Sequence, residues 1–307
     1  MFWLGSTFSL RADCASTVGI ISMPTIIFDG SATEFSADFH PECPARLILT
    51  EAYLAKSHPD WSWLRPRLAS EEEILRAHHP KHLSRLRQPV DFDGDTPYYP
   101  GIDVYARRAA GAAIESVDLA LRGQKGFALM RPPGHHATAS RAMGFCYLNS
   151  IAIAALHALK AGCERVAIWD FDAHHGNGTE DIVCGDYRIR FASIHQHPCY
   201  PGTGTVSREN VFNWPIPPRS NADRHASAVH QALERLVEFE PGIVLVSAGF
   251  DGYVGDPLTE MTLELEHFAN FGRWLKETGL PGAPILEGGY SEDLPLLVEA
   301  FLVGWVG

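Results

Sequence analysis

Short β-branched and apolar runs recur along the chain at Ile26–Phe28, Phe127–Met130, Val166–Phe171, Ile189–Ile194, Ile243–Ser247 and Ile285–Leu286. Longer amphipathic stretches separate most of them. A continuous apolar run bounded by polar segments suits a strand covered on both faces. Strand alternating with helix predicts an α/β fold with a mostly parallel central sheet flanked by helices. The predicted helices are Ala45–Lys56, Val104–Leu121, Ser150–Leu159, Ala222–Phe239, Leu263–Glu277 and Leu294–Leu302. Ser70 and Glu73 have the spacing of a capping box and signal another short helix. The run Glu71-Glu72-Glu73 then suits the positive end of its dipole.

Nothing in the 307 residues repeats with a period of 20–50, and no linker-like or low-complexity tract divides them. One domain over residues 23–307 is expected, preceded by an extension over residues 1–22. That extension has apolar stretches but neither a basic leader region nor a clear small-residue cleavage site, so it does not read as a signal peptide. It is expected to be poorly ordered.

Hydrophobic residues make up 46% of the chain and charged residues 20%, a balance that excludes wholesale disorder. The net charge of −12 sets a repulsive average field against nucleic acid. No run of about 18 apolar residues occurs, so no membrane span is expected. Cys14, Cys43, Cys146, Cys163, Cys184 and Cys199 are scattered and form no CxxC pair. That usage favours reduced thiols in a cytosol and argues against zinc held by cysteine.

Long Pro/Gly-rich loops are expected at Gln88–Gly101, Pro132–Gly144, His195–Ser220 and Gly252–Glu260. In open parallel sheets, ligands bind where such loops gather at the carboxyl ends of strands. The densest chemistry lies at one such end, Trp169-Asp170-Phe171-Asp172-Ala173-His174-His175-Gly176-Asn177-Gly178. In extended backbone, residues 170, 172 and 174 share one face and residues 169, 171 and 173 the other. Two carboxylates and an imidazole on one face suit Zn²⁺ or Fe²⁺, and a catalytic zinc takes three protein ligands with a fourth position open. Asp251, in Ala248-Gly249-Phe250-Asp251-Gly252, is the best third ligand, against the ordinary reading of a turn or cap aspartate.

His135 and His136 follow another apolar run, in Arg131-Pro132-Pro133-Gly134-His135-His136-Ala137. They read either as a structural pair or as the base that a metal-bound water needs. Asp170 could then orient one imidazole. Glu287-Gly288-Gly289-Tyr290 follows the last run. Its glycines permit a tight turn that would bring a phenol to the same rim, as an oxyanion donor or as a core tyrosine. Gly202-Thr203-Gly204 and Gly176-Asn177-Gly178 lack a P-loop lysine and dinucleotide spacing, so they read as turn glycines. Trp61, Trp63 and Trp214 read as loop anchors.

Taken together, these segments resemble the histone deacetylase and acetylpolyamine amidohydrolase superfamily, which has an arginase-like fold. The blocks that carry the resemblance are His40–Leu47 (HPECPARL), Arg131–Ala137 (RPPGHHA), Met143–Asn149 (MGFCYLN), Asp170–Thr179 (DFDAHHGNGT), Tyr200–Gly204 (YPGTG), Ser247–Gly252 (SAGFDG), Gly255–Leu258 (GDPL) and Glu287–Tyr290 (EGGY). The forms HHGNGT and AGFDG look like the class II branch. The resemblance implies a three-layer arginase/deacetylase-like fold and zinc ligated by Asp172, His174 and Asp251. It implies His136 as general base and acid, His135 as its electrostatic partner, Asp170 behind His135, and Tyr290 on the amide carbonyl. Asn177 stands behind His136 where class I members carry aspartate, which implies a less basic His136.

The resemblance further implies an acyl-lysine tunnel walled by Phe145 and Tyr200, with Gly144, His174 and Leu258 nearby. Asp95 matches a rim aspartate and Arg46 an arginine near an acetate channel. A structural potassium on the carbonyls of Asp170, Asp172 and His174, with Ser193 and Ile194, is implied in the same way. Cys199 departs from the phenylalanine usual before the second aromatic, and Leu258 stands where a polyamine-selective relative has glutamate. The implied reaction is zinc-dependent hydrolysis of an N-acyl, chiefly N-acetyl, amide. The implied substrates are an acetylated lysine peptide or protein, or an acetylated polyamine, with the chain a monomer or homodimer. The rival readings are a small-molecule amidase on the same site, a binuclear manganese ureohydrolase, which would need more bridging carboxylates, and a non-catalytic binder of acetylated ligands.

Overall fold

The structure, a computed structural model, describes residues 23–307; the extension expected at 1–22 lies outside the described residues. The strands are β1 (Thr25–Ile27), β2 (Ser62–Leu64), β3 (Gly126–Ala128), β4 (Val166–Asp170), β5 (Ile189–Gln196), β6 (Val211–Ile216), β7 (Ile243–Ala248) and β8 (Gly282–Leu286). They form one sheet in the order β2-β1-β3-β8-β7-β4-β5-β6. Every pairing is parallel. All carboxyl ends therefore lie along the same edge. The central strands β3, β4, β7 and β8 are buried at every position, which is why they read as unbroken apolar runs.

The helices are α1 (Ala45–Ser57), α2 (Glu71–Ile74), α3 (Pro80–Arg85), α4 (Ile102–Leu121), α5 (Ser150–Lys160), α6 (Asn177–Val183), α7 (Ala222–Val237), α8 (Leu265–Glu277) and α9 (Leu294–Val306). The helices α4 and α5 pack on each other and on the central strands. On the face that presents Trp169, α7 accepts the indole N–H at the Val229 carbonyl, 3.1 Å away, and Phe271 of α8 stands edge-on to the indole with ring centroids 6.1 Å apart. The sheet is thus sandwiched between helices. The capping box of α2 is complete, with Ser70 and Glu73 each bonding the other's backbone.

Two strands were not expected. The β2 strand is a three-residue edge whose side chains are mostly exposed, so it carries no apolar run. The β6 strand lies inside the stretch read as the loop His195–Ser220. Its alternating burial and its Pro215 suit an edge, where one side needs no ladder donors. Trp63 and Trp214 therefore sit in edge strands, while Trp61 is a buried loop residue. The short helices α3 and α6 were also missed, and Asn177 and Gly178 open α6 instead of lying in a turn. The ladder of β4 stops at Asp170, so residues 172 and 174 belong to the loop beyond the strand. A second hydrophobic cluster, with Phe35, Leu86, Tyr99 and Tyr147, backs the loop Gln88–Gly101.

Candidate active site

Four neighbouring strands, in the spatial order β3, β8, β7, β4, end in the four segments that carry most of the chemistry. Arg131–His136 follows β3, Glu287–Tyr290 follows β8, Gly249–Gly252 follows β7 and Phe171–Gly176 follows β4. Chain order differs from spatial order, so residues 135, 172, 251 and 290 meet at one rim.

Asp172, His174 and Asp251 each offer a ligand atom, and these atoms lie within 4.8 Å of one another. His174 Nδ1 is 2.7 Å from Asp251 Oδ2 and 3.3 Å from Asp172 Oδ1. Backbone donors fix the carboxylates. Ala173 N–H donates to Asp251 Oδ1 at 2.8 Å, His174 N–H to Asp172 Oδ1 at 2.8 Å, and Gly288 N–H to Asp172 Oδ2 at 2.7 Å. The cradle leaves no room for side chains. A Cβ on Gly249 would stand 2.1 Å from Asp172 Oδ2, and one on Gly288 would stand 2.5 Å from Asp251 Oδ2. Burial opposes charge on His174, yet the pull of Asp251 and Asp172 raises its proton affinity well above the ordinary range. Carboxylates that pull so hard on a proton there would pull equally on a cation. Buried, oriented and short of positive charge, this oxygen and nitrogen set fits a divalent metal.

His135 and His136 lie beside it with ring centroids 4.1 Å apart. Burial disfavours a proton on both. For His135, Asp172 and Asp170 overcome burial and carry its pKa up to about 10, with Nδ1 donating to Asp170 Oδ2 at 3.1 Å. For His136, burial and the charges of His135 and His174 push it well down. His136 Nδ1 bonds Asn177 Oδ1 at 2.7 Å, so the ring proton sits there and Nε2 keeps its lone pair.

A cavity of about 340 Å³ opens over this cluster. Its lining includes His135, His136, His174 and Tyr290, together with Asp95, Gly144, Phe145, Tyr200 and Leu258. Tyr200 stands edge-on to His136 at 5.1 Å, and Phe145 edge-on to Tyr290 at 5.8 Å. Gly144 has φ +56, and a Cβ there would lie 2.5 Å from the His136 ring, so both backbone and space require glycine. Arg46 is not on the cavity surface. It lies beneath Tyr290, with its guanidinium carbon 4.7 Å from the ring centroid, and donates to the Gly289 and Glu287 carbonyls at 2.7 and 2.6 Å. Ser193 and Ile194 are buried on β5, where Ser193 pairs with Asp170.

The sequence matches the histone deacetylase domain over residues 40–302, most of the chain. The chain belongs to the histone deacetylase family. A probable deacetylase of Archaeoglobus fulgidus is 37% identical over 83% of this chain and 77% of its own length. A human polyamine deacetylase is 36% identical over 89% of this chain and 47% of its own length. The crystal structure of an acetylpolyamine aminohydrolase from Burkholderia pseudomallei superposes with a TM-score of 0.85 at 26% identity, covering 92% of this chain and 98% of that one. Membership in the family carries amide deacetylation with it, and the parallel sheet with flanking helices is the family's fold.

Within this histone deacetylase fold, several polar residues with no role assigned from the sequence brace the site. Glu287 is fully buried, accepts from Gly134 N–H at 2.6 Å and His135 N–H at 3.1 Å, and burial pushes its carboxyl up to about 7. Asp256 accepts from Tyr290 N–H at 2.7 Å, and burial with Asp251 raises it to about 7. The amino end of α6 also contributes, since Gly178 and Thr179 N–H donate to the His135 carbonyl at 3.0 and 3.1 Å. The identity of Glu287 was visible in the EGGY block, but no local pattern linked it to residues more than 150 positions earlier.

Proposed function

We propose that the protein is a zinc-dependent deacetylase that hydrolyses an N-acetyl amide to acetate and a free amine. One observation carries this reading: a single cavity is bordered by His136, His174 and Tyr290 next to the buried Asp172–His174–Asp251 group. Those three residues would hold the metal. When bound, zinc supplies Lewis acidity toward the acyl carbonyl and lowers the pKa of water toward about 7.

His136, with Nδ1 committed to Asn177, offers Nε2 to the proton of the attacking water. Once protonated it faces cationic His135 across 4.1 Å, which strengthens it as the acid that releases the amine. Asp170 keeps His135 oriented and charged. The Tyr290 hydroxyl donates to the carbonyl oxygen as negative charge develops. The substrate chain would lie between Phe145 and Tyr200, with Gly144 and Leu258 alongside and Asp95 at the mouth. Arg46 would face departing acetate. A potassium ion is proposed on the carbonyls of Asp170, Asp172 and His174 with Ser193 and Ile194. Among the described residues, no protein N–H donates to the Asp172 or His174 carbonyl.

A single three-ligand group among the described residues supports one metal, not the pair of a manganese ureohydrolase. Five described cysteines are unpaired, in keeping with a reducing cytoplasm. The substrate is proposed to be an acetylated lysine in a peptide or protein. The exposed Asp95 at the mouth favours an acetylated polyamine as the second reading, and no direct role for nucleic acid or membrane is proposed. The test is acetate release by the zinc-loaded protein from equal concentrations of an acetyl-lysine peptide and acetylated polyamines. Wild type should release acetate, and Tyr290→Phe should lose about 10²–10³ in turnover. A variant that keeps more than about a tenth of the rate overturns the Tyr290 role. A bound acetyl ligand with no acetate formed would point to a binding protein instead.

A further inference from the structure

His40 lines the cavity, yet no chemical step uses it. Its Nε2 lies 3.2 Å from the carbonyl oxygen of Asp95, on the loop Gln88–Gly101. A carbonyl only accepts, so the ring proton sits on Nε2 and donates outward. Nδ1 meets the Glu42 backbone, whose N–H lies 3.1 Å away and whose carbonyl oxygen lies 3.2 Å away. The ring thus bridges two loops that are distant in sequence.

The two ends of the bridge differ in rigidity. Glu42 is buried, and its carboxylate is held by fully buried Arg131 at 2.7 Å and by Arg46 at 3.2 Å. Asp95 is exposed and its N–H reaches Asp93 Oδ1 at 3.0 Å within the same loop, while beyond it buried Thr96 accepts from Phe145 N–H at 3.1 Å. The His40 ring also stands edge-on to Phe145, with centroids 4.7 Å apart at 69°. Phe145 has φ +67, a left-handed conformation that a bulky residue keeps only when its surroundings hold it.

We infer that His40 is a positioning residue for substrate capture. It latches the Asp95 segment of the rim to the rigid Glu42–Arg131 base and steadies the Phe145 wall. The inference rests on the deacetylase reading for its kinetic effect and not for the latch itself. Losing the latch frees the rim equally in the ground and transition states. The effect therefore falls on KM and not on kcat.

The experiment compares wild type, His40→Ala and His40→Gln in the full zinc-loaded chain, with an acetyl-lysine peptide as substrate. Amide hydrogen exchange at residues 93–96 is measured in parallel. Gln can still place an N–H near the Asp95 carbonyl, whereas Ala cannot. His40→Ala should raise KM roughly 5–10-fold with kcat within about twofold. Exchange at 93–96 should accelerate in the Ala variant and largely recover in the Gln variant. A fall in kcat at unchanged KM, unaltered exchange at 93–96, or equal impairment of both variants overturns the latch. If wild type hydrolyses no acetyl substrate, the deacetylase reading fails, while the exchange comparison still decides whether His40 holds the rim.

Discussion

Burial acts on His135 and His136 alike, so the opposite directions of their proton affinities come from what each ring faces. His135 faces two carboxylates and His136 faces one amide oxygen and two neighbouring imidazoles. The same reasoning gives a prediction at His225, which is fully buried with neither ring nitrogen bonded. Burial, helped by His267, holds its pKa down to about 3 against an ordinary 6.5. The unfolded chain therefore binds this proton first, and stability present above about pH 6.5 is lost as pH falls toward 3. His78 and His195 are held down in the same direction. His225→Leu should keep full stability at pH 7, because no hydrogen bond is lost. It should also reduce the slope of stability with pH between 6 and 4 by about 1.4 kcal/mol per unit, checked by urea unfolding at several pH values. An unchanged slope would show that the ring finds a partner in the folded state. Gly144→Ala should lower activity sharply, since the new methyl meets the His136 ring. Steady-state kinetics beside a thermal melt would separate that from a folding defect.

The central strands and long helices were legible because each has a period or a run that local burial imposes. The β6 strand was not, because half its residues face water and Pro215 interrupts the pattern. The turn from α6 to β5 shows a related limit. Asn210 Nδ2 donates to the Val183 and Ile189 carbonyls at 2.9 Å and lies 3.3 Å from that of Asp186, while Oδ1 accepts from Gly185 N–H at 2.8 Å. One side chain just before β6 thus organises the entry to β5. Asn210→Asp removes the donor and sets a negative charge against three carbonyl oxygens. It should cost about 1–3 kcal/mol and lower the thermal midpoint by several degrees. A midpoint matching wild type would mean that the turn holds itself. Asn177 is the counterpart within the site: it was singled out by position in HHGNGT, but that it opens α6 came only with the fold.

Across the whole molecule, the parallel sheet gathers carboxylates from distant segments into one apolar interior. Asp170, Asp172, Asp251 and Glu287 are all fully buried, and His135 and His174 are the cations nearest them. A divalent cation relieves that repulsion, so it should bind the folded state far better than the unfolded one. Zinc at about 100 times its Kd should add about 2.7 kcal/mol of stability, seen as a higher thermal midpoint that a chelator reverses. Asp251→Asn should blunt the response to zinc, because one of the three ligand groups loses its charge. An equal zinc response in the variant would place the metal elsewhere.

Taken alone, the chain determined the alternation of strand and helix, the α/β fold class and the family, since each is written in local runs or contiguous blocks. The residues of the Asp172, His174 and Asp251 group could also be named from where they fall beside apolar runs. Only the tertiary structure decided how they face one another, because strand order, not chain order, sets which loops become neighbours. It alone placed Glu287 under His135, Asp256 against Tyr290 and His40 between two rim loops. A buried polar group must find a partner wherever the fold supplies one, and sequence separation carries no trace of that pairing.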